Sequence, residues 1–169
     1  MRKRAFTFLI IGLLCWLCAV PGSAQQKNQP SITVEGLDGA KMTFTLEQLR
    51  QMPQDSVSLA NPNPATSEQY EGVLLRTLLA RVDTTISKKL HAEDLRDYVE
   101  VAGRDGYRVV FALAELEPSL QDNKVLVAIS NQGKPLDDIL GPVRVIVPQD
   151  KRQARSVRQV TTISLRQAP

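Results

Sequence analysis

The chain has 169 residues, with 21 Lys and Arg, 18 Asp and Glu, one histidine and two cysteines. That length fits one domain, and a single histidine excludes a multi-histidine metal site. The leading cations Arg2, Lys3 and Arg4 account for the whole positive excess, leaving 18 of each sign beyond them, so no nucleic-acid partner is expected.

Residues 1–24 read as a secretory signal peptide: a basic start, an apolar core from Ala5 to Val20, and a small-residue cleavage site at Gly22-Ser23-Ala24. The core is shorter than the about 20 apolar residues that a membrane-spanning helix needs. Cleavage after Ala24 would leave residues 25–169 as a single domain, periplasmic or secreted, with no stable membrane anchor. Both cysteines, Cys15 and Cys18, fall inside the leader, preceded by Leu14 and Leu17 rather than the small residue that lipid attachment requires. The exported part therefore carries no thiol, which excludes disulfides and thiolate metal sites.

Beyond a polar start at Gln25–Pro30, Ser31–Glu35 and Lys41–Thr45 read as a hairpin, with Asp38-Gly39 supplying the positive φ of its turn. Thr45 and Gln48 have capping-box spacing, predicting a short helix over Leu46–Met52 that Pro53 ends. Val57–Ala60 reads as a strand, and Asn61 to Ser67 as a stiff polar loop. Val73, Leu74, Leu75, Leu78, Leu79 and Val82 recur at helical spacing and predict a core helix, with Arg76 and Arg81 off its apolar face. The polar run Ser87–Asp97 carries one short turn of helix at Ala92–Leu95, and leaves His91 exposed. Tyr98–Ala102 and Tyr107–Phe111 form a second hairpin across Gly103–Gly106. One helical turn is expected at Ala112–Leu116, and a buried central strand at Val125–Ile129, broken by Asn131–Pro135.

The last quarter, Gly141 to Leu165, is a strand, a basic loop and a second strand. Val143, Val145, Ile146 and Val147 form the first apolar run, stopped by Pro148, and Val160–Leu165 the second. Between them Lys151, Arg152, Arg155 and Arg158 can present guanidinium forks to an anion; the other reading is a solvated loop serving solubility. Many short strands, few short helices and no βαβ rhythm predict an α+β fold: a mainly β, mixed-sheet domain. Phosphate-cradling GxxxxGK[ST], GxGxxG and HExxH motifs are absent.

Several stretches resemble the sulfite-oxidase fold of the oxidoreductase molybdopterin-binding domain family, above all its small stand-alone exported members. Gly141-Pro142-Val143-Arg144 with Pro148 is similar to the family's GP-x-R strand, and Ala154-Arg155-Ser156-Val157-Arg158 to its G-A-R-S-V-K-W loop, with Arg158 for lysine and Gln159 for tryptophan. Tyr70-Glu71-Gly72-Val73-Leu74-Leu75 resembles the start of a family helix, and Asp105-Gly106-Tyr107 a family hairpin. The resemblance implies that Arg144, Arg155, Ser156 and Arg158 line a pterin-phosphate and substrate region. It also implies a molybdenum held by a pterin dithiolene and one cysteine thiolate, and such a soft ligand sets the metal's electronics. That cysteine would fall near Val57–Asn61, where there is no sulfur; Ser58 or Asp55 would have to supply oxygen instead. The leader resembles an ordinary Sec signal more than the twin-arginine signal used by cofactor-loaded exported enzymes, so the chain would arrive empty.

The expected function is a non-catalytic, exported binding module for a small anionic ligand or a periplasmic redox protein, with no cofactor expected although the resemblance implies molybdopterin. The alternatives are a molybdopterin-dependent oxidoreductase of the sulfite oxidase type with a non-cysteine ligand, and a structural partner in a periplasmic redox complex. For the basic loop, the competing expectation is that Arg144 and Arg155 pair with Asp105, Asp137 or Asp138, and that Tyr107 is a packed hairpin aromatic.

Overall fold

A computed structural model describes residues 29–59, 67–87 and 90–169. The expected leader, residues 25–28, most of the polar loop at 60–66 and residues 88–89 lie outside the described residues. In chain order the strands are β1 Ser31–Glu35, β2 Lys41–Thr45, β3 Asp55–Leu59, β4 Glu68–Leu74 and β5 Asp97–Gly103, then β6 Arg108–Ala112, β7 Leu126–Asn131, β8 Lys134–Pro135, β9 Arg144–Ile146 and β10 Val160–Gln167. Two short α-helices, α1 Leu46–Gln51 and α2 Leu75–Leu79, and four brief 3-10 turns complete the described fold.

The strands make two sheets. The first runs β2-β1-β10-β5-β6, and its β1–β10 pair is parallel while its other pairs are antiparallel. In the second, β4 lies between β3 and β7, and β8 and β9 share the far side of β7. The expected mainly β, mixed-sheet α+β fold is therefore present. The first hairpin closes through Gly39 at φ +81°, and α1 starts at the expected capping box, with Gln48 N donating to Thr45 Oγ1 and Thr45 N to Gln48 Oε1.

One large apolar cluster lies between the sheets. Ile32, Val34, Val99, Val101, Ile163 and Leu165 enter it from the first sheet. Val73, Val127, Ile129 and Val145 enter from the second, and α2 adds Leu75, Leu78 and Leu79. A smaller cluster on the outer face of the second sheet holds Val57, Leu59, Tyr70, Leu126, Ala128 and Ile146. Successive residues of a strand point to opposite faces, so β7 sends Val127 and Ile129 into one cluster and Leu126 and Ala128 into the other. That is why its sequence is apolar throughout, as expected of a strand buried on both sides.

The core helix expected over Val73–Val82 is shorter than its spacing suggests. Val73 and Leu74 belong to β4, and α2 covers only Leu75–Leu79 before turns carry the chain to Val82. Apolar residues at 73, 74, 75, 78, 79 and 82 fit one helical face, but β4 pairs on both edges and this pairing wins. Gly72 marks the strand: a Cβ there would stand 2.1 Å from the Val127 carbonyl oxygen across a β-bulge. The segment expected to break β7 is instead a two-residue hairpin at Gln132-Gly133, with φ of +52° and +72°, after which Lys134-Pro135 pairs back. The two strands of the terminal unit also part company, β9 joining the second sheet and β10 the first.

Candidate functional site

The basic loop between β9 and β10 bridges the two sheets and folds back along β9. Val145 N donates to the Val157 carbonyl at 2.9 Å and Val160 N to the Val143 carbonyl at 2.9 Å. Gly103, whose missing Cβ would stand 2.8 Å from the Arg158 carbonyl, brings the β5–β6 hairpin against the same loop. Tyr107, half exposed rather than packed inside, pins it by donating its hydroxyl to the Ala154 carbonyl at 2.8 Å. Asp105, Tyr107, Gln153, Ala154, Ser156 and Arg158 thereby enclose a depression of about 250 Å³.

The four residues expected to form the site occupy three different situations. Ser156 and Arg158 are on the lining of this depression. Arg158 is exposed, whereas Ser156 is buried and its Oγ accepts a hydrogen bond from Val147 N at 3.2 Å. Arg155 is absent from the lining. Its Nε and Nη2 donate to Asp150 at 2.9 and 2.7 Å, Nη1 donates to Glu115 at 3.0 Å, and the guanidinium lies 4.9 Å from the Phe111 ring centre. The hydrogen bonds to Asp150, with Glu115 adding to them against burial, raise its affinity for the proton further. Arg155 thus ties the loop to the 3-10 turn Leu113–Leu116, instead of converging with Arg158 on an anion. The expectation that it pairs with an acid holds in kind, but the acids are Asp150 and Glu115 rather than Asp105, Asp137 or Asp138.

Arg144 stands directly behind the depression. It projects from β9 on the outer face of the second sheet, where the cross-strand row Gly72–Ala128–Arg144 holds nothing larger than a methyl group ahead of it. The guanidinium therefore runs across β7 to Tyr70, donating from Nη1 to the phenol oxygen at 2.7 Å and lying 5.3 Å from the ring centre. Nη2 donates to Gln153 Oε1 at 2.6 Å, and Nε, buried, has no partner. Tyr70 in turn donates to Glu68 Oε2 at 2.6 Å. Burial first, and then this bond to Glu68, push the Tyr70 phenol from its ordinary value of 10.0 up to about 12, against a smaller downward pull from Arg144. Among the described residues no carboxylate lies within ion-pair distance of Arg144. Arg144, 7 % exposed as a residue, is here held by neutral groups alone.

Tyr70 and Gln153 were not among the expected site residues: Tyr70 stands first in the run that resembles a family motif, but nothing in that run points to Arg144, and no local pattern marks Gln153. Tyr70 is 74 positions from Arg144, and Gln153 is an ordinary polar residue in a polar loop.

Comparison with known proteins places this chain in a family. The architecture is that of the sulfite-oxidase type: the crystal structure of the sulfane dehydrogenase SoxCD from Paracoccus pantotrophus matches with a TM-score of 0.60 at 18% identity, covering 80% of this chain and 38% of that one. This chain thus corresponds to well under half of that enzyme's chain, and at such identity the likeness is one of fold. The family model of the oxidoreductase molybdopterin binding domain matches residues 18–169, and the chain belongs to that family. No curated protein sequence matches.

The residues present do not fit the metal end of the family's cofactor. No cysteine occurs after residue 18, and no group of three or more His, Cys, Asp or Glu among the described residues could hold a metal ion. Of the two oxygen donors considered in place of the thiolate, Ser58 lies exposed on the edge strand β3, and Asp55 is engaged with Lys124 at 3.4 Å. Arg158 and Ser156 line the depression, and Gln153 stands between it and Arg144. The arrangement offers no soft ligand for a redox metal.

Proposed function

We propose that this chain is a non-catalytic, exported member of its family, a binding module that seats a small oxyanion in the depression beneath the basic loop. One observation carries the reading: Arg144 keeps its charge out of water with no carboxylate in direct contact among the described residues, Glu68 being reached only through the Tyr70 phenol. A buried charge is tolerated when something of opposite sign completes it. Gln153 Oε1, 2.6 Å from Nη2, stands where a ligand oxygen would stand, and its side chain belongs to the lining of the depression. A tetrahedral oxyanion displacing that carboxamide would meet Arg144 from behind and exposed Arg158 from the rim. The absence of a thiolate after residue 18 argues against a redox role, and the reading includes no resident cofactor. It also places the protein in the periplasm or outside the cell, free of the membrane once residues 1–24 are removed.

Isothermal titration with sulfate and with inorganic phosphate tests the seat. Saturable one-to-one binding is expected, weakened about 10-fold in Arg158→Ala, the loss of one charge-assisted contact, and abolished in Arg144→Met. Binding that both variants retain, or no binding by the folded parent protein, would overturn it.

A further inference from the structure

The depression beneath the basic loop is not the roomiest concavity of the fold. A second one, of about 480 Å³, opens between α2 and the irregular segment from Leu116 to Val125. That volume lies in the range of small-molecule sites. Its residues are not shared with the Arg144–Arg158 region.

Both walls are firmly built. Arg76 of α2 reaches Glu117 on the opposite wall at 2.6 Å, and Glu117 is 7 % exposed. The Glu117 carbonyl accepts from Leu120 N and Gln121 N at 2.9 Å each, and its carboxylate from Ser119 N at 3.2 Å. Further along, Gln149 holds the Asp122 carbonyl at 3.2 Å. The segment therefore stands as a fixed wall, although it lacks regular structure. Leu74, Leu116, Pro118 and Val125 give the cavity an apolar lining.

The charges at its mouth decide what it would take. Arg76 is neutralised by Glu117 within the wall. Lys124 is held only loosely, 3.4 Å from both Asp55 oxygens and half exposed, and such a surface pair contributes little. Arg81 is exposed, with no carboxylate within ion-pair distance among the described residues. Asp122 is the only acid on the lining. Exposed Arg81 and the loosely paired Lys124 thus accompany one lining acid, Asp122, with Asp55 beside Lys124 outside the lining. The geometry points to a second binding site that takes a small amphipathic organic anion, its apolar body against Leu74, Leu116 and Val125 and its carboxylate or sulfonate at Arg81 and Lys124.

The test is an amide-resolved NMR titration of the folded chain with three probes sharing one ring system: 2-naphthoate, 2-naphthalenemethanol and 2-naphthylmethylammonium. Naphthoate should give saturable shifts confined to the amides of residues 77–81 and 120–125, and bind about 10-fold tighter than the alcohol, the value of one charge-assisted contact. The ammonium should bind weakest. Arg81→Glu, at an exposed position, should weaken naphthoate about 10-fold, and Thr77→Trp, which fills the cavity, should abolish the shifts in a protein whose spectrum stays dispersed. Equal affinity for the three probes, shifts centred on Arg158 instead, or undiminished binding in Arg81→Glu would overturn the proposal. Only the Arg158-centred outcome would report on the oxyanion seat; the probe ranking and the Arg81 and Thr77 variants read this cavity alone.

Discussion

Two arginines eleven positions apart in one terminal unit, Arg144 and Arg155, have opposite electrostatic fates, and this contrast is directly measurable. Arg155 closes on two acids, so Arg155→Met strands Asp150 and Glu115 in a partly buried place and should cost about 2 kcal/mol in urea denaturation. Arg144 closes on a phenol and a carboxamide, both of which keep other partners or can reach water. Arg144→Met should therefore leave stability within about 1 kcal/mol of the parent or raise it, since an apolar isostere avoids burying an unbalanced charge. Loss of oxyanion binding without loss of stability is the mark of a group kept for a ligand. Equal destabilisation by the two substitutions would make both merely structural. Tyr70 adds a pH dependence. Its folded-state pKa, pushed up to about 12 from 10.0, means that its proton contributes stability in full below pH 10.0, and that this contribution is lost as pH climbs towards 12. A spectrophotometric titration should show a tyrosinate step near pH 12 that Tyr70→Phe removes, and stability should fall across that window. These residues were only partly legible in the chain. Arg144, Ser156 and Arg158 could be picked out because they sit in a recognisable run, but their partners are set by pairing of distant strands: Glu115 lies 40 positions from Arg155 and Tyr70 lies 74 from Arg144.

At the scale of elements, β4 positions the site, and spacing alone misassigns part of it. Its last residues share the i, i+3, i+4 pattern of the helix that follows, so periodicity extends the helix backwards through Val73. Gly72 is the sign that a strand lies there. Ala substitution would place a Cβ 2.1 Å from one backbone atom and 2.7 Å from another on β7, neither of which can swing aside. Gly72→Ala should therefore cost about 3 kcal/mol, read from the shift in urea midpoint. It should also impair oxyanion binding, because β4 carries Tyr70 and β9 carries Arg144 on either side of β7. The capping box, both hairpin turns with their glycines at +81° and +83°, and the β7 run were readable beforehand, since each is decided within a few residues. The extra pairing of Lys134-Pro135 was not, because Gln132 at φ +52° is a non-glycine in the left-handed region and gives no local notice of a tight turn.

For the whole molecule, the terminal loop matters because it links the two sheets: β9 closes one and β10 occupies the middle of the other. Mixed-sheet architecture could be anticipated from many short strands without βαβ rhythm, but this division of β9 and β10 between sheets has no sequence signal, since both simply read as β-branched strands. The family assignment and the missing thiolate then pull in different directions, one towards a molybdenum cofactor and the other away from it. A chain that keeps Arg144 and Arg158 for an oxyanion and dispenses with the metal, as proposed, reconciles the two. Elemental analysis by inductively coupled plasma mass spectrometry, on the protein purified from its native compartment, tests this most directly. Molybdenum is expected far below one atom per chain; a stoichiometric content would refute the proposed metal-free binding role.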